Sequence, residues 1–274
     1  MAGVSLLTGS CIAAIGLATI AGSFPAPSHM TGYRQVARFD RAGAHPRRPT
    51  TIPLPVYYER AEAEALSRQG TAFAVDPRGA WATAAHVTDR CGTIRLLIDQ
   101  RRSAALPEPI RAAASDISLM TGGLRAPTGL SLTAQAPKAG TPGYHMGFPM
   151  GAPGLIGSRL LGETSAVRRS GSPEPMLAWV EDWRTPAPDE PLDGLSGSPV
   201  LNGNGEVVGI VSMAAERRGR ILSALPTPLR AMLAARHAGV EARYGAPIPD
   251  RRSAVARFQL FLNGGLIRQV HCDA

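Results

Sequence analysis

Lysine is almost missing from this chain. Lys138 is the single one in 274 residues, so a net charge of +8 is carried by arginine. The arginines stand singly or in pairs with no aromatic-basic stripe beside them, which argues for a solvated basic exterior; no nucleic-acid partner is expected. Cysteine is scarce as well. Cys11, Cys91 and Cys272 form no Cys-x-x-Cys and have no metal-ligand spacing, so a cysteine metal site is excluded. Cys91 and Cys272 are left as one disulfide, in an oxidising compartment, or as two thiols. No internal repeat is present, and long apolar runs are missing but for one. Residues 3–22 carry no charge over a length that suits a signal sequence or a membrane-spanning helix. The basic segment that usually precedes a signal is absent, and the arginines follow instead, at Arg34, Arg38, Arg41, Arg47 and Arg48. By the positive-inside rule that order leaves the C-terminal part in the cytoplasm, against export.

Turn-forming residues, by contrast, are abundant: 30 Gly and 24 Pro, which favours short strands over long helices. With 44% hydrophobic and 18% charged residues, a folded body is expected. After a Pro- and Arg-rich linker, Glu59–Ser67 reads as a short helix. Thr71–Val75 and Ala80–Ala84 read as strands joined by the tight turn Asp76-Pro-Arg-Gly79, with further strands at Ile94–Ile98 and Ile117–Met120. Thr227-Pro228 opens a helix whose apolar face is Leu229, Met232 and Leu233 and which Gly239 stops. In the tail, Phe258–Leu262 and Leu266–Val270 flank Asn263-Gly-Gly265 and read as an extra hairpin.

The chain is organised around Asp193-Gly-Leu-Ser-Gly-Ser-Pro-Val200. Glycines around Ser196 let the backbone turn sharply and approach a substrate. The N–H groups of Gly194 and Ser196 can then converge as an oxyanion hole. The turn Asn202-Gly-Asn-Gly205 follows between apolar runs, a β-hairpin signature, so the serine precedes a strand and not a helix. A serine nucleophile needs a base, and the base needs an orienting carboxylate. His86 follows the small residues of Trp81-Ala-Thr-Ala-Ala85, and Asp116 stands directly ahead of the apolar run Ile-Ser-Leu-Met120.

Gly70-Thr-Ala-Phe73, Thr83-Ala-Ala-His-Val87, Asp116-Ile-Ser-Leu119 and Gly194-Leu-Ser-Gly-Ser-Pro199 resemble the signature blocks of trypsin-like (chymotrypsin-fold) serine proteases of the bacterial type. The resemblance implies an all-β fold of two antiparallel β-barrels with the site between them, here followed by a C-terminal helix. It implies His86 as general base, Asp116 as its orienter, Ser196 as nucleophile, and Gly194 and Ser196 as the oxyanion hole. It also implies a protein or peptide substrate, no metal or cofactor, and export to the periplasm or exterior, or membrane association through residues 3–22. The domains expected are a signal or anchor over 1–22, a linker over 23–53, a protease domain over 54–238 and an extension over 239–274.

Leu195 stands where zymogen-activated trypsins carry an aspartate, so no ion pair to a newly cut N-terminus is expected. Glu190, with Asp189 and Asp193 beside it, lies where an acid would select Arg or Lys, and Ser212 lies on the strand expected to pair with substrate. Val211 stands where glutamyl endopeptidases place a histidine, which argues against acidic substrates, and His145 is expected to be structural. Two other readings remain. One is a protease-fold binding module without catalysis. The other is an α/β-hydrolase using Ser196, Asp250 and His271, which the hairpin after the serine opposes.

Overall fold

The computed structural model describes residues 56–58, 67–167, 172–185, 191–215, 219–236 and 243–273. The segments 1–22 and 23–53, nearly all of the helix expected over Glu59–Ser67, and Asp189 and Glu190 lie outside these residues; Ser67 opens a strand.

In chain order the first strands are β1 (Tyr57–Tyr58), β2 (Ser67–Ala74), β3 (Trp81–Thr83), β4 (Thr93–Leu97), β5 (Ser103–Leu106), β6 (Ile110–Arg111) and β7 (Ser118–Met120). Next come β8 (Gly129–Leu130), β9 (Pro142–Gly147), β10 (Gly154–Val167), β11 (Glu174–Thr185) and β12 (Pro199–Leu201). The chain continues with β13 (Val207–Ala215), β14 (Arg220–Ala224), helix α1 (Thr227–Ala234), β15 (Arg243–Tyr244), helix α2 (Arg251–Asn263) and β16 (Ile267–Asp273). One sheet runs β5-β4-β16-β2-β3-β7-β6. A second runs β1-β10-β11-β14-β13-β12-β9, and because β9 also pairs with β10, its strands β9 to β14 close into a barrel, while β8 and β15 pair in parallel as a small third sheet. This is the two-barrel, all-β architecture that the resemblance implies, with a helix near the C-terminus.

Local chemistry explains the turns. Between β2 and β3, the buried Asp76 accepts from the N–H groups of Arg78 and Ala80 at 2.9 Å each, so one carboxylate closes the turn. Asn202 does the same between β12 and β13, accepting from Asn204 at 2.9 Å and Glu206 at 3.0 Å. Inside the closed barrel, Trp179 packs with Ile156, Leu160, Leu177, Val200, Val208, Val211 and Ile221. Leu195, one residue before Ser196, is buried in the same cluster. A larger core gathers Phe73, Trp81, Leu96, Ile117, Leu119 and Met120 of the first sheet.

The expected tail hairpin does not form. Phe258–Leu262 is part of α2, which Asp250 caps by accepting from Ser253 N–H at 2.7 Å. Ala254, Phe258 and Phe261 supply its buried face at helical spacing. β16 then pairs antiparallel with both β2 and β4, in the middle of the first sheet. There Cys272 is joined to Cys91 by a disulfide, with the two Cα atoms 5.3 Å apart. Helix α1 begins at Thr227, as expected, with Pro226 at its cap; it ends at Ala234, ahead of Gly239.

Candidate active site

His86 occupies a one-turn 3-10 helix, Ala85–Val87, directly after β3. Two contacts tie it to Asp116. Its backbone N–H donates to Asp116 Oδ1 at 2.9 Å, and its ring Nδ1 lies 2.8 Å from Oδ2. A carboxylate can only accept, so Nδ1 carries the proton and Nε2 is left as the basic nitrogen. Asp116 is buried while His86 is half-buried, which leaves the ring open on its far side. The turn is held from outside as well. Arg68 Nη1 donates to the carbonyls of His86 at 3.2 Å and Asp89 at 2.6 Å, and Arg111 Nη2 donates to that of Thr88 at 2.8 Å.

Ser196 comes to this turn from the other sheet. Thr71 N–H donates to the Ser196 carbonyl at 2.8 Å, and Gly197 N–H to the Val211 carbonyl at 2.8 Å. Gly197 has φ +85, and a Cβ on it would lie 2.1 Å from both the Thr71 carbonyl and Thr83 Oγ1, and 2.9 Å from Ala84 N. Only glycine satisfies both the conformation and the approach. Gly70 is equally hemmed in, since a Cβ there would meet the Ser196 carbonyl at 3.0 Å and Val87 at 2.7 Å. The serine loop thus lies against the segment that carries the histidine. Thr71 Oγ1 adds a stitch, donating to the Gly194 carbonyl at 2.9 Å and accepting from Phe148 N–H at 3.0 Å. The N–H groups of Gly194 and Ser196 donate to no acceptor among the described residues.

These observations meet the comparisons with known proteins. The family model for the trypsin-like peptidase domain matches residues 70–210, just over half of the chain. The chain belongs to the trypsin-like peptidase family. Among solved structures, the active form of the Rv3671c protease from M. tuberculosis is 18% identical with a TM-score of 0.50, over 65% of this chain and 75% of that one. An inactive mutant form of the same protease, from M. tuberculosis H37Rv, is 16% identical with a TM-score of 0.50, over 63% of this chain and 86% of that one. The HtrA-type protease AlgW, solved with a decapeptide, is 16% identical with a TM-score of 0.48, over 61% of this chain and 52% of that one. At these identities the likeness is one of fold. A comparison with curated proteins found no match.

The peptidase treats the remaining expected residues differently. The Ser212 side chain is buried, and its hydroxyl donates to Asp116 Oδ2 at 2.6 Å. The register of β13 on β14 jumps between Val211 and Met213, and this bulge re-aims the side chain. His145 is fully buried in the barrel. Its ring meets Trp179 edge-on at 5.6 Å, and its Nε2 lies 2.7 Å from Ser158 Oγ. Burial pushes its pKa down to about 3, so it is a neutral structural residue. His271 and Asp250 play no joint part: one lies on β16 in the first sheet and the other caps α2. One residue of the site was not anticipated. Glu174 Oε1 accepts from Ser115 Oγ at 2.6 Å and from Asp116 N–H at 2.8 Å. Among the described residues no group of three or more His, Cys, Asp or Glu side chains could hold a metal.

Proposed function

We propose that this peptidase is a serine endopeptidase working through Ser196, His86 and Asp116. His86 Nε2 takes the proton of Ser196 Oγ as that oxygen attacks the carbonyl of a peptide bond. The negative oxygen of the tetrahedral intermediate is received by the N–H groups of Gly194 and Ser196, where each such donor is worth roughly 3–4 kcal/mol. The imidazolium returns its proton to the leaving amine, and an acyl-enzyme on Ser196 remains. Water, deprotonated by the same nitrogen, releases the acid.

The observation that carries this reading is the double contact between His86 and Asp116, through Nδ1 at 2.8 Å and the backbone N–H at 2.9 Å. It sets the tautomer in which Nε2 is the base. Substrate is proposed to lie along β13 beside the main chain of Ser212; by its spacing from Ser196, Glu190 is the candidate for selecting Arg or Lys, the alternative being a solvated acidic turn. The protease domain, expected over 54–238 with 239–274 as an extension, is proposed to run on through β16, since that strand is the middle of its first sheet. Residues 3–22 are assigned as a signal or anchor leading to export, with 23–53 as a linker; among the described residues no helix is long and apolar enough to cross a membrane.

The test is covalent labelling by a fluorophosphonate probe. The wild-type chain is expected to be labelled on Ser196. Ser196→Ala is expected to abolish labelling. Survival of the label in that variant assigns the nucleophile elsewhere, and an unlabelled wild type favours a non-catalytic binding module.

A further inference from the structure

We infer that Glu174 is a positioning residue for catalysis, holding Asp116, and through it His86, from the opposite sheet. This rests on the reading of Ser196, His86 and Asp116 given above. Glu174 is the first residue of β11 in the closed barrel, whereas Asp116 precedes β7 in the other sheet. The two are 58 positions apart in sequence, yet one oxygen of Glu174 receives both Asp116 N–H and Ser115 Oγ–H.

The physical need is local. β7 begins only at Ser118, so Ser115 and Asp116 lie on the bend that leads into it, outside its strand pairing. A buried N–H there requires an acceptor from elsewhere, and leaving it unmet costs about 1–3 kcal/mol. Glu174, itself only 9% exposed, supplies that acceptor. The consequence reaches the base. Asp116 spends Oδ1 on His86 N–H and Oδ2 on His86 Nδ1 and Ser212 Oγ, so its carboxylate is fixed at every oxygen. Those bonds orient the imidazole only if the Asp116 backbone stays still. Glu174 pins that backbone from the sheet that also supplies Ser196 and Ser212. Base and nucleophile are thereby registered to each other across the two sheets.

A neutral acceptor at the same place should serve, while a withdrawn one should not. The full chain and three variants are therefore compared with the fluorophosphonate probe, separating its binding constant KI from its bonding rate kinact, with circular dichroism to report folding. Glu174→Gln keeps an oxygen in reach and is expected to hold kinact within about threefold of wild type, and Glu174→Ala is expected to lower it roughly ten- to a hundredfold with KI unchanged. Glu174→Asp, one methylene shorter, decides the matter should Glu174→Ala fail to fold, and is expected to fall with it. A wild-type kinact in folded Glu174→Ala or in Glu174→Asp, or an equal loss in Glu174→Gln and the shortened variants, overturns the positioning role while leaving the nucleophile intact. An unlabelled wild type overturns both readings at once.

Discussion

His145 shows how a buried imidazole couples folding to pH. Its Nε2–H is given to Ser158 Oγ, whose own proton goes to the Gly143 carbonyl at 3.2 Å, and no donor or acceptor among the described residues meets its Nδ1. Protonating Nδ1 would bury a charge without a partner, so the folded pKa falls to about 3 from an ordinary 6.5. The unfolded chain therefore binds a proton between these values that the folded chain refuses. Stability from this group is full above about pH 6.5 and is lost as pH falls towards 3, at a slope approaching about 1.4 kcal/mol per pH unit. Denaturant titrations from pH 7 to pH 4 are expected to show that decline, and His145→Gln to flatten it by one proton's worth. An unchanged slope in the variant removes the explanation. At this scale the sequence was legible where the pattern is short-range. His86 after a run of small residues, Asp116 before an apolar run and Ser196 between glycines each announce themselves. Glu174 and the Ser212 hydroxyl could not, because their meaning depends on which strand faces Asp116 and on a bulge that turns one side chain.

Among the elements, the tail departs furthest from its sequence-based reading. Phe258-Gln-Leu-Phe-Leu262 alternates well enough to pass for a strand, while the burial of Ala254, Phe258 and Phe261 is helical and Asp250 is a helix cap. The deciding information lay in the cap and in the longer period. The strand that does form, β16, has no local hairpin partner; its partners β2 and β4 come from residues 67–74 and 93–97, far back in the chain. A central strand carries ladder bonds on both edges, so its removal should be far worse than loss of an appendage. A chain ending at residue 265 is expected to lose the cooperative unfolding transition of the full chain. Phe258→Ala, which empties a buried aromatic, is expected to cost about 3–5 kcal/mol in a denaturant titration.

On the scale of the whole molecule, the spacing of turns indicated an all-β body, and the resemblance of the signature blocks implied the two-barrel plan. The pairing of Cys91 with Cys272 did not, since the sequence left disulfide and free thiols open. The bond closes a stretch of 181 positions, and in the chain-entropy account a loop of that size contributes about 5 kcal/mol. Reductant is expected to lower the melting temperature of the wild type and to leave that of a Cys91→Ser, Cys272→Ser double variant unchanged. Equal melting with and without reductant in the wild type removes the bond from the account of stability.

The place of β16 also bears on timing. The sheet that carries the histidine turn lacks its middle strand until residues 267–273 are available. A ribosome makes them after every other strand of that sheet. Until β16 emerges, the edges of β2 and β4 that it will join are left without their partner.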